Sequence, residues 1–332
     1  MKRSSILIIF LLILGFTSCK KRENEKVMPK PDGVALENFY KNQRMDNAQN
    51  FTIDANNGGT LTGDKGTKIT FPPNAFALNG TPVTGNVEIT LLEIYDRASM
   101  LINNMPTTGV RPNGDEETLQ SAGEIFVEAK QGNNILELIE PMHIESAFDP
   151  NGDINNLSPI QLFKAEGELD EPGKWQEVDE NSDGVNDLAE PMIGHNGPNG
   201  AAAVYYAFDT QELGWTNLDR WYNYTGQLTT LYVDVPDGYD ETNCEVFVLY
   251  EGEPTALARL DVYDTTQQMF TEHFGKLPVG INIHVLMTTM IDGELHYSLK
   301  ESVTTVPNHI ETMPDPQPTT QQDLLAIVQN LP

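Results

Sequence analysis

Short runs in which apolar and polar residues alternate recur along most of the chain after Phe51. They are "KITF" (Lys68 to Phe71), "NVEITLL" (Asn86 to Leu92), "EIFVEA" (Glu124 to Ala129), "TLYVDV" (Thr230 to Val235), "EVFVLY" (Glu245 to Tyr250) and "INIHVLM" (Ile281 to Met287). Period-two alternation marks a strand, because successive side chains point to opposite faces of a sheet. Between the runs stand Asn57-Gly58-Gly59, Asn79-Gly80, Asn113-Gly114, Asn151-Gly152 and Asp292-Gly293, residue types that tolerate the positive φ of tight turns. The pattern predicts an all-β fold of two β-sandwich domains, with one inserted loop and a short C-terminal helix.

Helical spacing appears at two places. "LENFYKNQRM" (Leu36 to Met45) predicts a short helix inside an otherwise extended tether. After the Pro-rich "MPDPQPTTQQ" (Met313 to Gln322), "DLLAIVQNL" (Asp323 to Leu331) sets Leu324, Leu325, Val328 and Leu331 on one stripe. A helix this short is marginal alone, so it docks either on its own domain or on a partner. The Gly- and Asn-rich "GHNGPNGAAA" (Gly194 to Ala203) is the weakest stretch between the β-rich halves. The expected division is 1–18 signal peptide, 19–49 lipidated tether, 50–193 first sandwich, 204–306 second sandwich, and 307–332 linker and helix.

The N-terminus sets the compartment. Met1-Lys2-Arg3 is basic, "SILIIFLLILGF" (Ser5 to Phe16) is apolar, and Thr17-Ser18-Cys19 follows. The apolar run is shorter than the roughly 20 residues a spanning helix needs, so it reads as a removed signal. This end resembles a bacterial lipoprotein signal, in which the Cys becomes a lipid-carrying N-terminus. Phe16 stands three before Cys19, where that pattern usually has Leu. An ordinary secretory signal with an incidental Cys is the other reading. Lipidation at Cys19 with two or more acyl chains implies stable anchoring in the outer membrane, facing the cell exterior rather than the periplasm.

Charge narrows the partners. The chain holds 49 acidic and 20 basic residues, a net charge of −29, and signal removal takes away Lys2 and Arg3 but no acid. Such a surface repels phosphate backbones, which excludes nucleic acid as a natural partner. "KKRENEK" (Lys20 to Lys26) is the one basic cluster and sits beside the lipid. Cys244 is the only other cysteine; flanked by Glu245, Val246 and Phe247, it reads as a small buried hydrophobe.

Three segments carry a resemblance. "GGTLTGDKGTKITFPPNAF" (Gly58 to Phe76), "TGNVEITLLEIYDRASML" (Thr84 to Leu101) and "LQSAGEIFVEAKQGNNILEL" (Leu119 to Leu138) are similar to the ZU5-like β-sandwich of Bacteroidota surface lipoproteins, through Gly66-Thr67, Pro72, Ala75-Phe76, Thr84-Gly85, Ser121 and Gly123. "GWTNLDRWYN" (Gly214 to Asn223) resembles the Trp-x-Asn-x-Asp-Arg signature that precedes an immunoglobulin-like domain in those proteins, with Trp221 where Phe is more usual. The resemblance implies fold and address more than activity. Self-cleavage as in eukaryotic ZU5 relatives is not expected, since His273-Phe274-Gly275 lacks the hydroxyl nucleophile.

One stretch points to a metal. In "DENSDGVNDLAE", Asp179, Asn181, Asp183, Val185, Asp187 and Glu190 occupy positions one, three, five, seven, nine and twelve of a calcium loop, with Gly184 at the turn. Hard oxygen ligands at alternate positions wrap a cation, Val185 offers its carbonyl, and Glu190 closes the site. Asn186 replaces the usual apolar residue, "GKWQEV" before the loop looks like a strand, and Pro191 blocks an exiting helix, so a helix-loop-helix sensor is excluded. A solvated acidic turn is the alternative. "DPNGD" (Asp149 to Asp153) lacks the later ligands and reads as a turn.

Catalytic patterns are wanting. The six histidines form no His-Glu-x-x-His helix, and neither Gly-x-Ser-x-Gly nor a phosphate-cradling Gly loop occurs. Trp215, Trp221, Tyr222 and Tyr224 cluster in ten residues; they are either core anchors or a sugar-stacking platform, and exposure of Trp215 and Trp221 separates the two. The expectation is a lipid-anchored, non-catalytic scaffold or accessory subunit, with an outer-membrane β-barrel complex as partner, and a glycan-binding or adhesin-like lipoprotein as the alternative.

Overall fold

A computed structural model describes residues 30–179, 186–195, 200–272 and 275–332. Among these residues the chain is mostly strand with three short helices, so the all-β expectation holds. Residues 1–29, which include the signal and Cys19, lie outside the described residues, as do His273 and Phe274.

The strands form layers separated by three apolar clusters. In a thirteen-strand sheet, the main path of eleven strands runs from strand Gln49–Asp54 through Asn86–Ile94 and Glu116–Gln131, and ends at Lys68–Phe71 and Gly59–Thr62. It folds over where Ile160 and Gln161 pair with Ala189 and Leu188. Its two halves enclose the first cluster, which joins Ile125, Val127, Leu162 and Leu218 to Ile69, Phe71, Ile144 and Phe208. The second large unit holds a five-strand sheet centred on Cys244–Tyr250 and Asn282–Ile291, and a four-strand sheet centred on Met269–Thr271 and Leu231–Asp234. Between these two sheets lies another cluster, with Val246, Val248, Val285 and Met287 facing Leu231, Val233 and Phe270.

The remaining cluster bonds the two units face to face. Phe126, Phe163, Trp175, Trp215 and Trp221 from the large sheet pack with Phe247, Leu249, Leu286 and Met290 from the five-strand sheet. Strand Cys244–Tyr250 is therefore buried on both faces, Val246 and Val248 toward one cluster and Phe247 and Leu249 toward the other. Double burial explains the unbroken apolar run from Val246 to Tyr250.

Turn chemistry fixes two hairpins. Asn79 and Gly80 have φ of 49° and 74°, and Asp292 and Gly293 have φ of 52° and 82°. Both dipeptides join adjacent antiparallel strands, the two-residue geometry whose twist matches the strands it connects.

The expected boundary at residue 204 does not coincide with a change of sheet. Strands Ala203–Thr210 and Gly214–Trp221 both belong to the thirteen-strand sheet, and the latter pairs with Glu116–Gln131 along most of its length. The Gly-rich stretch that suggested the boundary connects two strands of one unit, and the second unit begins after Trp221. The expected tether is likewise shorter. Pro31 bridges Ile291, the Asp32 amide donates to Met290 O at 2.8 Å, and helix α1 (Gly33–Asn47) follows directly, capped by the Asp32 side chain. Leu36 and Tyr40 join the interface cluster. Arg44 is buried and donates to the carbonyls of Leu169 (2.9 Å), Asn103 (2.6 Å) and Asp170 (2.5 Å).

The C-terminal stripe docks on its own chain. Helix α3 (Gln321–Asn330) buries Leu324 and Val328 in the interface cluster beside helix α2 (Arg97–Ile102), and Leu331 follows them. Arg97 secures the end of α3 through the carbonyls of Leu331, Pro332 and Tyr250. Leu324→Ala is expected to lower unfolding free energy by about 2–5 kcal/mol, the range for a large-to-small change in a packed core, as read by urea denaturation of the full chain. The same change at half-exposed Leu325 should cost less.

Candidate functional site: a buried polar seam

Strand Gly214–Trp221 lies between two apolar clusters, and all of its residues except Gly214 and Arg220 are buried. Its side chains must therefore find partners inside the protein. The two indoles are 1 % and 7 % exposed. Trp215 donates from Nε1 to Glu168 O at 3.2 Å, while Phe126 and Trp175 pack around its ring. Trp221 donates to Glu177 Oε1 at 2.7 Å, meets Phe163 edge-on, and carries the Arg111 guanidinium 3.5 Å above its ring. Neither ring is free to stack on a sugar, which corrects the ligand-stacking reading of Trp215 and Trp221: large aromatics in this strand anchor the junction between the units.

The polar residues of the strand form a connected chain. Ser121 Oγ accepts from the Gly123 amide at 3.0 Å and donates to Asn217 Oδ1 at 2.8 Å. Asn217 Nδ2 donates to Asp219 Oδ2 at 2.6 Å. Next along the strand, Arg220 binds Asp149 Oδ2 at 2.8 Å and also contacts the Tyr206 hydroxyl, which donates to the same Asp149 oxygen at 3.3 Å. Asp149 begins the "DPNGD" segment, which is a turn as its sequence suggests, closed by Gly152 N–H to Asp149 O. Nothing in that segment's ligand-poor spacing marked Asp149 as the buried partner of Arg220.

Two carboxylates in the seam stand out. Glu124 and Asp219 are fully buried, and among the described residues both Glu124 oxygens and Asp219 Oδ1 have no hydrogen-bond partner. Burial raises the Asp219 carboxyl from its ordinary 3.8 to about 8, against the opposing pull of Ser121, Arg220 and Asn217. Burial, reinforced by Asp219, holds the Glu124 carboxyl well above the usual carboxylate range. Both are acids kept largely neutral near pH 7, the least costly form for unpaired carboxyls in an apolar surrounding.

The seam also seats the second unit. The Ser121 amide donates to Thr255 O at 3.1 Å, Gln120 Nε2 to Glu253 Oε2 at 2.6 Å, Asn151 Nδ2 to Thr255 Oγ1 at 2.9 Å, and the Thr107 amide to Leu257 O at 2.8 Å. Pairing with Gly214–Trp221 shifts register between Leu218 and Asp219, and this irregularity frees the Ser121 amide for the other unit. Gly123, at φ 143°, lies under the Tyr95 ring, where an added Cβ would come within 2.1 Å of Cε1. Tyr95 in turn bonds Thr67 Oγ1 at 2.6 Å and the Ala147 amide at 3.0 Å. The loop 63–67 is clamped by Glu93, which accepts from Lys65 N at 3.0 Å and Thr67 N at 2.9 Å. Thus Thr67 and Gly123, far apart in sequence, meet around one tyrosine.

Around the junction, charged side chains pair across the units: Lys174, which also holds Glu116 of its own unit, with Asp261, and Lys276 with Asp115 and Glu117. Lys174, Glu116 and Asp261 line a cleft of about 260 Å³ whose walls also include Trp175, Met105 and Arg259. Cys244 is buried, and burial together with Glu245 pushes its thiol far above the ordinary range, so it is unreactive.

Of the six loop positions, Asp179, Asp187 and Glu190 are described, whereas Asn181, Asp183 and Val185 lie outside the described residues. The loop's ends are drawn together beside Leu162: Asp187 N donates to Val178 O at 2.7 Å, Val178 N to Leu162 O at 3.1 Å, and Leu162 N to Asp187 O at 2.9 Å. Glu190 sits exposed in strand Leu188–Gly194 opposite Ala207, and with Asp187 lines a shallow groove that also includes His143, Glu145 and Asp209. Among the described residues no three His, Cys, Asp or Glu side chains form a metal-binding group.

No protein-family model matches the chain, and a search of curated proteins returns no match. The functional reading therefore rests on the residues themselves.

Because the folded Asp219 carboxyl lies above its unfolded value, its neutral form contributes stability that is complete below about pH 3.8 and lost as pH rises through about 8. Glu124 acts in the same direction. Chemical-denaturation stability measured between these limits should fall less steeply with pH in Glu124→Gln/Asp219→Asn than in the parent. Parallel pH profiles would show that neither acid is buried in neutral form.

Proposed function

We propose that this chain is a lipid-anchored, non-catalytic surface protein of the outer membrane, acting as a scaffold or accessory subunit of an outer-membrane complex. On this reading it is related to the ZU5-like Bacteroidota lipoproteins, and its two units are a pair of β-sandwiches packed face to face. The observation that carries the reading is the junction itself. Aromatic packing, the seated 253–257 turn and cross-unit ion pairs join the units into one block suited to holding other molecules in fixed relation. The charged side chains beside the junction cleft are paired with each other, a structural use of charge.

The attachment geometry supports an anchored role. Only about a dozen residues separate Cys19 from the first docked segment at Pro31 and Asp32, a reach of at most about 40 Å. A lipid on Cys19 would therefore keep the block close to the membrane, with its strongly acidic surface turned to the medium. Metabolic labelling with a fatty acid tests this: the parent should carry label and partition with outer membranes, and Cys19→Ser should lose both. Label retained by Cys19→Ser, or a parent free of lipid, would remove the anchor.

The proposed calcium loop extends from the point where Val178 and Asp187 close its neck, and Asp179, Asn181, Asp183, Val185, Asp187 and Glu190 would hold the ion. When bound, calcium would neutralise crowded carboxylates and stiffen the connection between strands Trp175–Glu177 and Leu188–Gly194. Isothermal titration should give heats with an affinity near about 10⁻⁴–10⁻³ M, as for extracellular modules, and Asp183→Ala and Glu190→Ala should abolish them. Heats equal to the parent's in both variants would discard the loop as a metal site.

A further inference from the structure

Ser121 and Asn217 stand on paired strands of the large sheet, with Ser121 Oγ hydrogen-bonded to the Asn217 carboxamide oxygen at 2.8 Å. The geometry points to a covalent role for this contact: an intramolecular ester between Ser121 Oγ and the Asn217 side-chain carbonyl carbon, stapling strand Glu116–Gln131 to strand Gly214–Trp221.

The seam assembles the four parts that such a step needs. Ser121 supplies the hydroxyl nucleophile, fixed by the Gly123 amide at 3.0 Å. Asn217 supplies the carboxamide. Asp219 touches the leaving nitrogen, with Oδ2 2.6 Å from Nδ2, and lies close enough to Ser121 to feel its hydroxyl. Glu124 lies directly across the strand pair from Asn217 and uses neither of its oxygens in another hydrogen bond. Ser121, Glu124, Asn217 and Asp219 are all fully buried, so the reacting groups are held in contact with water kept out.

The step balances without a co-reactant. The Ser121 Oγ to Asn217 Cγ bond forms and the Asn217 Cγ to Nδ2 bond breaks. In the minor ionised form of Asp219, the hydroxyl proton passes to its carboxylate and from there to Nδ2, which leaves as ammonia. A carboxyl raised to about 8 is a stronger base than an ordinary carboxylate, and so is suited to that transfer. Glu124, held as the acid across the strand pair from Asn217, keeps a second negative charge away from the carboxamide. Once made, the ester is shielded from hydrolysis by the same burial. It also gives the two strands a covalent tie that Cys19 and Cys244, the only cysteines, do not provide.

Peptide mapping of the full chain by mass spectrometry decides the matter. Trypsin is expected to release the segments 98–130 and 175–220 as one joined species, lighter by one ammonia than the two together. Ser121→Ala and Asp219→Asn should release them as two separate peptides of unaltered mass. A parent that yields two separate full-mass peptides overturns the cross-link, whether or not any variant folds. A joined species persisting in Asp219→Asn overturns the role given to Asp219.

Discussion

Enclosure of a polar strand between two apolar clusters is the constraint on which the rest of this structure depends. Strand Gly214–Trp221 has Leu218 turned toward the first cluster, and Trp215 and Trp221 toward the cluster that joins the units. Asn217 and Asp219 sit in the same strand without access to water. An unpaired buried polar group costs on the order of 1–3 kcal/mol, so each of these side chains requires a partner or a change of protonation. Asn217 finds Ser121 and Asp219, Arg220 finds Asp149 and Tyr206, and the unpartnered oxygens of Glu124 and Asp219 are tolerated because burial favours their neutral acids.

Meeting those requirements shapes the neighbourhood. The register shift opposite Ser121 turns its amide toward Thr255, and this hands the second unit a docking point on the first. Gly123 provides the space that Tyr95 fills, and Tyr95 reaches Thr67 and Ala147 on other segments. Helices α1 and α3 then close the flanks, each secured by an arginine that gathers backbone carbonyls: Arg44 from the 103 and 169–170 segments, Arg97 from Tyr250 and the Leu331–Pro332 end. A buried guanidinium with several carbonyl acceptors joins separate segments without a buried counter-charge. The outcome is a single block, which fits a role of display or support at a membrane.

Local signals in the sequence foretold local structure. Alternating runs became strands at Lys68–Phe71, Cys244–Tyr250 and Asn282–Ile291, and the stripe of Leu324, Val328 and Leu331 became a docked helix. Asn79-Gly80 and Asp292-Gly293 became two-residue hairpin turns because positive φ is a property of the residues themselves. Less legible was anything set by contact between distant segments. "GWTNLDRW" has no period-two alternation because both of its faces are buried, so it resembled a domain start rather than an inner strand of the large sheet. Glu124 lay in a run read only for its apolar positions, and its neutral state comes from burial, reinforced by Asp219, which is 95 residues away in the chain. Thr67 and Gly123 did carry a signal, through their resemblance to a known motif, but not the tyrosine around which they meet.

Hydrogen–deuterium exchange along the full chain tests most directly whether the seam locks the two units together. The account predicts that strand Gly214–Trp221, residues 119–126 and the 253–257 turn are protected alike, and that all three lose protection together in Gly123→Ala, where the new methyl group displaces Tyr95. Exchange in the 253–257 turn that is fast in the parent, or unchanged when the seam is disrupted, would contradict it.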